Sequence, residues 1–574
     1  EEVGIVQDVN VNDTELATER VSLEVMKMRA ELAIALLLTN SSVGGWSIGN
    51  GWPECSENID CMLKSNDINA LRIIAELLSS AASVKETRPM VAVYLNNSLV
   101  KELVTHEDRS IRTAAASAVA KLGLAESHTE DFEIIGLLEA ACYILEDWEL
   151  NWQMTFEIEA GGNTANSTIN DVAMTSGVKS SLERGIEMVT YLITKTIVKE
   201  EIAHGFKATS DSKYSALKLL VKISENGGSI ENVSAFGIAT IFQLIAATPL
   251  ALRKEAFEDK QITMEQYDEI QRMQKTQEEK EVEDNSDLKD DNDDKCKQRI
   301  VKMVSASVPR ALINLTEGSS DQTLEQIVLA LNRIANVQSV RGTMIQQGVL
   351  STLIKLEKNN EISDIRKKII RNIRHCIAKL LITINPSLLT SAQSMGAIKP
   401  LLQLVREIDS NDLQKFEALL SLTNLVSMGD DTKNKVSAEK GISSLKYAMF
   451  SDHPLVKKAA TECLCNMVGN EDFMKTLHDT NELRLWLALA SDHEENYECA
   501  RAASGCLAMA SPDPSVAKSL IHISNFKERM NTCLGSGSIE IVHRILVVVL
   551  NLVEHGGEIR KAATDNGLVV FCEA

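Results

Sequence analysis

A short apolar signature returns through the second half of this chain at a nearly constant interval. LNRIA at 331–335, AKLLI at 378–382, TNLVS at 423–427, CNMVG at 465–469, AMASP at 508–512 and LNLVE at 550–554 align in one register. Their second positions hold Asn332, Lys379, Asn424, Asn466, Met509 and Asn551, with separations of 47, 45, 42, 43 and 42 residues. A period of about 40–47 residues is that of stacked units of two or three helices, the armadillo and HEAT type. One unit of that size cannot bury its apolar face alone, so each must pack on its neighbours. The chain has 574 residues, far more than one ordinary core holds, and an array accommodates that length.

A second marker runs in phase. Gly348, Gly396, Gly441 and Gly567 are 48, 45 and 126 residues apart, the last interval being three times 42. Each is expected to follow a short helix and to turn the chain into an apolar one, since glycine tolerates positive φ. One unit can be followed throughout. Thr432–Lys440 is a short polar helix, and Gly441 turns the chain. Ile442–Phe450 is a second helix with Ile442, Leu445 and Met449 at helical spacing. Ser451 to Pro454 forms a helix start. Leu455–Val468 is the third helix, stopped by Gly469. In the preceding unit Leu413, Phe416, Leu419, Leu420, Leu422, Leu425 and Val426 make a helix that is apolar nearly all round, as suits one buried between neighbours. The fold class expected is therefore all-α, with three-helix armadillo-type repeats stacked into an elongated right-handed superhelix. The scarcity of proline (9) and of aromatics (4%), beside 44% apolar residues, fits many thin helical layers.

The first 250 residues carry helical spacing at 19–38, 68–80, 110–124, 134–145, 185–198 and 213–225. Residues 147–168, with two tryptophans and GGNTANST, and the glycine-rich stretch 44–51 are expected to be irregular loops. From Glu278 to Asp294 ten acidic residues face two lysines. Such a run repels itself and stays solvated. DLKDDNDDK within it lacks the central glycine and closing glutamate of a calcium loop. The domains expected are 1–253, a central armadillo-like domain; 254–296, a neck with an acidic, disordered linker; and 297–574, a second armadillo domain.

Several function classes are disfavoured. A net charge of −22 opposes nucleic-acid binding, since phosphates repel an acidic surface. Glu1 to Asp13 is acidic and polar rather than a signal peptide, and no charge-free apolar run is long enough to span a membrane. Asn314-Leu-Thr316 is a glycosylation sequon inside an apolar helical pattern, where a glycan does not fit. Of eleven cysteines, Cys376, Cys463, Cys465 and Cys506 fall in apolar helix patterns and read as small buried hydrophobes of a reducing compartment. Cys55 and Cys61 lack the partners of a zinc site. No P-loop, nucleophile elbow or HExxH motif occurs. Neither an enzyme nor a cofactor is expected.

Binding is the remaining class. A stack of units aligns one inner helix per layer, and Asn332, Asn424, Asn466 and Asn551 recur at one position of it. An asparagine amide pairs with the backbone of an extended peptide without regard to its side chains. It pairs equally well with a neighbouring loop inside the stack, and both readings stand open. Lys379 is harder to bury and is expected to face the groove.

KFEALLSLTNL (415–425) followed by YAMFSDHPLVKKAATECLCNMV (447–468) closely resembles the UCS domain of myosin chaperones, the muscle proteins named for uncoordinated-movement mutants. KQRIVKMV (297–304), VRGTMIQQG (340–348), LRLWLAL (483–489) and RAASGCLAM (501–509) extend the likeness over about 296–554. Lys415 stands where the family pattern has asparagine. The resemblance implies a cytoplasmic, sarcomere-associated chaperone that holds the myosin motor head during folding and thick-filament assembly, with Hsp90 as partner. Apart from the resemblance, head-to-tail self-association into chains is open to any such solenoid, though nothing in the residues demands it. Family members dock Hsp90 through a tetratricopeptide domain; no such pattern precedes Glu19, so this domain is expected to be missing. The client-binding groove is expected along Asn332, Lys379, Phe416, Asn424, Asn466 and Asn551, with Tyr447 on an adjacent ridge. Phe450 could share that ridge, but for Phe416 and Phe450 the alternative of core packing is favoured, since large apolar side chains are mostly buried. A generic armadillo scaffold or transport adaptor is the main rival. Adaptors that grip basic localisation signals place tryptophan four residues before the ladder asparagine, where this chain has Leu420, Glu462 and Val547.

Overall fold

The computed structural model describes residues 67–83, 103–104, 106–122, 131–160, 181–225, 230, 232–248, 251–252, 291–358 and 363–567. These are helices and their connections, with no strand among the described residues. The chain divides into two compact units, Glu1–Ala330 and Leu331–Ala574.

In the first unit α1 (Ile68–Ser83) packs along α2 (Arg109–Leu122). Their interface is dominated by Ala75, Ala81, Ala82, Ala114, Ala115 and Ala118 with Leu78 and Ile111, all buried. Alanine suits the helix and adds no bulk between the two axes. Then follow α3 (Asp131–Ala160), α4 (Ser181–Leu192), α5 (Thr196–His204), α6 (Ala216–Ser224) and α7 (Asn232–Ile245). A Cβ on Gly237 of α7 would lie 2.3 Å from Cγ2 of Ile186 on α4, so the glycine sets that close crossing. The unit continues through α8 (Asp293–Ser305) and α9 (Val308–Asn314), and its boundary falls inside α10 (Asp321–Ile334).

Two expectations for this half are corrected, and one helix was not foreseen. Residues 147–160 are not a loop but the second half of α3. The helix expected at 185–198 breaks after Leu192 and restarts at Thr196. α7 went unread, because its apolar residues run almost continuously and show no periodicity. The helix expected at 19–38, the loops at 44–51 and 161–168 and most of the neck lie outside the described residues. The neck's last residues, 291–296, are within them: Asn292 caps α8 through a bond from Lys295 N to its Oδ1 (3.0 Å), and Asp291 is buried.

The second unit is regular. Five modules follow one another, each ending in a long third helix. The first comprises α11 (Arg341–Gln346), α12 (Val349–Glu357) and α13 (Asp364–Ile382). In the next, first and second helices are fused as α14 (Ser391–Arg406), followed by α15 (Asp412–Val426). Then come α16 (Asp430–Ala438), α17 (Gly441–Ala448) and α18 (Pro454–Asn466). The fourth module is α19 (Glu471–Leu477), α20 (Thr480–Ser491) and α21 (Tyr497–Ala510). The fifth is α22 (Pro514–Ile521), α23 (Phe526–Leu534) and α24 (Ile539–Glu554), and α25 (Gly557–Asp565) opens another. The third helices α13, α15, α18, α21 and α24 pack each on the next, as the repeat requires.

Third-helix starts are well specified. Ser363, Asn411 and Ser538 accept a bond from the third backbone N–H beyond them, and Pro454 opens α18. Gly348 takes the left-handed conformation expected of it, with φ 94°. Gly441 does not; Lys440 before it is left-handed (φ 57°). Glycine is required at 441 because a Cβ there would stand 2.7 Å from the Val436 carbonyl oxygen. Gly396 lies within the continuous α14, against Ile354.

Candidate functional site

The exposed face of the third-helix stack is built by helices that bury one side in the core. In α15, Ala418, Leu419, Leu422, Leu425 and Val426 point inward, while Phe416, Leu420 and Asn424 are half-buried. α18 repeats the pattern with Val456, Ala459, Ala460, Cys463 and Leu464 inward.

The recurrent asparagines lie where this face meets the preceding layer. Asn424 Nδ2 donates to the carbonyl oxygens of Leu381 (3.1 Å) and Ile382 (2.7 Å). Asn466 Nδ2 donates to the Thr423 carbonyl (3.4 Å). Asn551 Nδ2 reaches the Ala508 carbonyl (3.4 Å) and Ser511 Oγ (2.8 Å). These carbonyls belong to the last turn or C-terminal edge of the neighbouring third helix, where intrahelical donors run out. Asn332 Nδ2 instead donates to the Asn372 carbonyl (2.8 Å). Lys379 is only 9% exposed, and its Nζ donates to Asn336 Oδ1 at 2.7 Å. Tyr447 is 84% exposed; Phe450, expected in the core, is also exposed. The stack therefore brings the asparagines, Lys379 and Phe416 onto one set of helices. Tyr447 stands apart from them on the second helix α17.

Hydrogen-bonded and ionic pairs brace the middle of the face. His375 Nε2 lies 2.6 Å from Glu417 Oε2 between α13 and α15. Arg501 of α21 pairs with Glu462 of α18 (2.9 Å) and Glu498 (3.1 Å). Arg374 bridges Glu357 (2.9 Å) and Glu407 (3.2 Å). Residues 331–574 are close to charge balance, so the net −22 resides in the first unit and does not make this face acidic.

Burial lowers the pKa of His375, with the Glu417 carboxylate acting against that shift. The folded chain thus takes up this proton at lower pH than the unfolded chain does. Above about pH 6.5 both states are neutral and the group adds no pH dependence. As pH falls below that value the unfolded state binds the proton first, so stability declines. His375→Gln is expected to flatten this acid limb, measured as the change in urea midpoint between pH 7.5 and 5.5. An equal decline in both proteins would show that His375 is not its source.

Burial pushes the Cys376 and Cys463 thiols up to about 12, which keeps them protonated and unreactive. No cluster of His, Cys, Asp and Glu suited to a metal occurs among the described residues. Sequence reasoning missed a row of exposed apolar residues at the start of the third helices. Its signal was present: Leu413, Leu455, Tyr497 and Ile539 follow one another at intervals of 42 residues.

Comparison with known proteins agrees with the resemblance read from the residues. No protein-family model matches the chain. Protein unc-45 homolog B of Xenopus laevis is 28% identical over 291 residues, 49% of this chain and 30% of that protein. The chain thus spans less than a third of the length of that relative. Among solved structures, UNC-45 from Drosophila melanogaster superposes with a TM-score of 0.60 at 23% identity, covering 93% of this chain and 61% of the other. The myosin chaperone UNC-45 from C. elegans, solved in complex with a Hsp90 peptide, gives 0.61 at 20% identity, covering 90% and 49%. The structures establish the shared armadillo-like fold, and the sequence match carries the likeness to UCS-type proteins. Among the described residues no helix is long and apolar enough to cross a membrane.

Proposed function

We propose that this chain is a UCS-type, myosin-directed chaperone that holds the motor head of myosin heavy chain against its stacked third helices. The observation that carries the proposal is the sequence likeness to unc-45 homolog B over 291 residues, beside the unbroken packing of α13, α15, α18, α21 and α24. Such a stack offers a partner a long, rigid face rather than a closed pocket. The client-binding groove in this reading runs along Asn332, Lys379, Phe416, Asn424, Asn466 and Asn551, with Tyr447 beside it. The amide nitrogens are engaged within the stack and the Asn332 amide oxygen is buried, so client contact falls to the outward faces of Phe416 and Leu420 and to the amide oxygens of Asn424, Asn466 and Asn551. The domains are 1–253, 254–296 and 297–574, the last holding the client. The site of action is the cytoplasm and the sarcomere, with Hsp90 as co-worker and self-association into chains as a means of spacing clients along a filament. The reaction is binding, without catalysis or cofactor.

The test is to heat a myosin motor fragment with and without an equimolar amount of this chain and follow light scattering. Suppressed aggregation supports the reading, and scattering unchanged by the chain refutes it. Asn424→Ala separates groove from core. It removes the donor to two carbonyls and is expected to lower stability by about 1–3 kcal/mol, and, with its amide oxygen gone from the groove, to weaken protection per folded molecule; unchanged protection would assign Asn424 to the core alone. Retention of nuclear cargo instead of myosin from muscle extract would favour a transport adaptor.

A further inference from the structure

Among the ladder positions Asn332, Lys379, Asn424, Asn466, Met509 and Asn551, only Met509 has no side-chain N–H to give. It lies on α21 and is 50% exposed. In the other layers Asn424, Asn466 and Asn551 reach back 42 or 43 residues to a carbonyl at the end of the preceding third helix. The step of 43 back from Met509 ends at Asn466, the last residue of α18, on which α21 packs. The carbonyl of a last helical residue has no intrahelical donor. Its neighbours are provided for: Leu464 and Cys465 accept from the N–H groups of Met467 and Val468, Met467 from that of Asn470, and Val468 from Lys433 Nζ (2.7 Å). The Asn466 carbonyl and its Oδ1 receive no donor among the described residues, and its Nδ2 is turned to the Thr423 carbonyl (3.4 Å). One layer of the stack thus keeps an open acceptor where the others are capped.

Charge is sparse around it. The last two turns of α18, α21 and α24 hold two ionised residues, Glu462, which pairs with Arg501 (2.9 Å), and Glu554 at the exposed end of α24. Arg544 of α24 donates to the Arg501 carbonyl, and Lys433 to that of Val468. A surface so close to neutral suits an uncharged N–H rather than an ammonium or guanidinium group. The floor is apolar. Asn551 bonds to the Ala508 carbonyl and to Ser511 Oγ, on either side of Met509 in sequence, and Leu550 beside it is 52% exposed. A methionine side chain is flexible and polarizable, so it adapts to partners of different shape.

The uncharged donor that every polypeptide carries is the backbone N–H. In a folded partner nearly all such groups are already bonded within helices and sheets. In an extended, unpaired segment they are free and point to one edge at every second residue. We infer that the Met509 layer grips a non-native chain: an extended segment donates a backbone N–H to the Asn466 carbonyl, where the ladder amide is missing, and lays an apolar side chain on Met509. The inference deepens the client-holding reading and rests on it for the use of this face, but not on myosin as the client.

The test supplies the missing amide. Met509→Asn is expected to raise the melting temperature by about 2–4 °C, as the Asn466 carbonyl gains an internal donor. The probe is a short fluorescein-labelled peptide of alternating leucine and serine, read by fluorescence anisotropy on the full chain, beside the same peptide N-methylated at every interior amide. Met509→Asn should bind the parent peptide about five- to tenfold more weakly, the value of one hydrogen bond with its apolar contact. Met509→Leu keeps the apolar floor and the open carbonyl, and should keep both affinity and melting temperature. On the unchanged chain N-methylation should weaken binding by about the same factor. Equal affinity of the unchanged chain and Met509→Asn, equal affinity for the two peptides, or no binding of the parent peptide would overturn the inference. Should Met509→Asn fail to fold, the two peptides on the unchanged chain decide alone. Myosin protection together with equal peptide affinities refutes this site only; absent protection with the peptide results intact refutes myosin as client and leaves the site standing.

Discussion

Asp291→Ala is expected to lower the stability of the first unit by about 3–5 kcal/mol, the range for breaking a buried ion pair from one side. The carboxylate has no exposed surface and sits between two cations that have almost none. Its Oδ2 lies 3.1 Å from Lys199 Nζ and its Oδ1 2.7 Å from Arg299 Nη2. Lys199 also donates to the Ala247 carbonyl and Arg299 to that of Ile245, both at 3.0 Å. Burial lowers the pKa of Lys199, and Asp291 opposes the shift. Burial would lower that of Arg299 as well, but Asp291 and Glu200 raise it. Without Asp291 two cations remain in low dielectric with only Glu200 near. The carboxylate fastens the start of α8 to α5 and to the end of α7, so the loss should appear there. Hydrogen exchange of α5, α7 and α8 together with urea unfolding measures it. Replacing Asp291, Lys199 and Arg299 at once by apolar residues of similar size should restore most of the stability, because the desolvation penalty disappears with the charges. A loss below about 1 kcal/mol for Asp291→Ala would mean that water reaches the cluster.

Trp486→Ala is the second large effect, about 3–5 kcal/mol for removal of a buried large aromatic side chain. Trp486 of α20 is wholly buried and meets Phe473 of α19 edge to face, ring centroids 6.1 Å apart. Its Nε1 donates to Glu482 Oε1 (3.2 Å), which also pairs with Lys446 of α17 (3.0 Å). One side chain thus ties the first and second helices of a module together and reaches the module before it through a carboxylate. Each repeat contacts mainly its neighbours, so exchange protection should fall most in α19–α21 and least in α11–α13. Trp486→Phe retains the ring contact and should lose less. Uniform loss of protection from α11 to α25 would instead show that the second unit unfolds as one cooperative block.

Much of this was legible in the residues, for a physical reason. A third helix buried between neighbours must be apolar on several sides in every layer. The same requirement repeated every 42 residues leaves the register from Leu331 to Glu554 readable without coordinates. The asparagine position was legible for the same reason, but its role was not. An amide has donors and acceptors whichever way it faces, and only the carbonyls of Leu381 and Ile382 decide that Asn424 donates inward. Gly441 was found, yet the left-handed residue is Lys440, since a short turn can put the strain on either neighbour. The end of the acidic run misled because composition records charge but not partners. Asp291 finds Lys199, 92 positions away, and becomes core. The row at the third-helix starts went unread because an exposed leucine on its own is unremarkable, and its meaning lies in its recurrence across layers.

Three of the four ladder amides share a direction, while Asn332 points the other way, to the Asn372 carbonyl. Asn424, Asn466 and Asn551 all donate to carbonyls about 43 residues earlier in the chain. On the ribosome, where the chain emerges N-terminus first, each acceptor is already in place when its asparagine arrives. The modules that end in α15, α18 and α24 can therefore clip onto a finished template as they emerge, and a chain stalled after α13 or α15 would end in a layer whose last carbonyls await a donor not yet made.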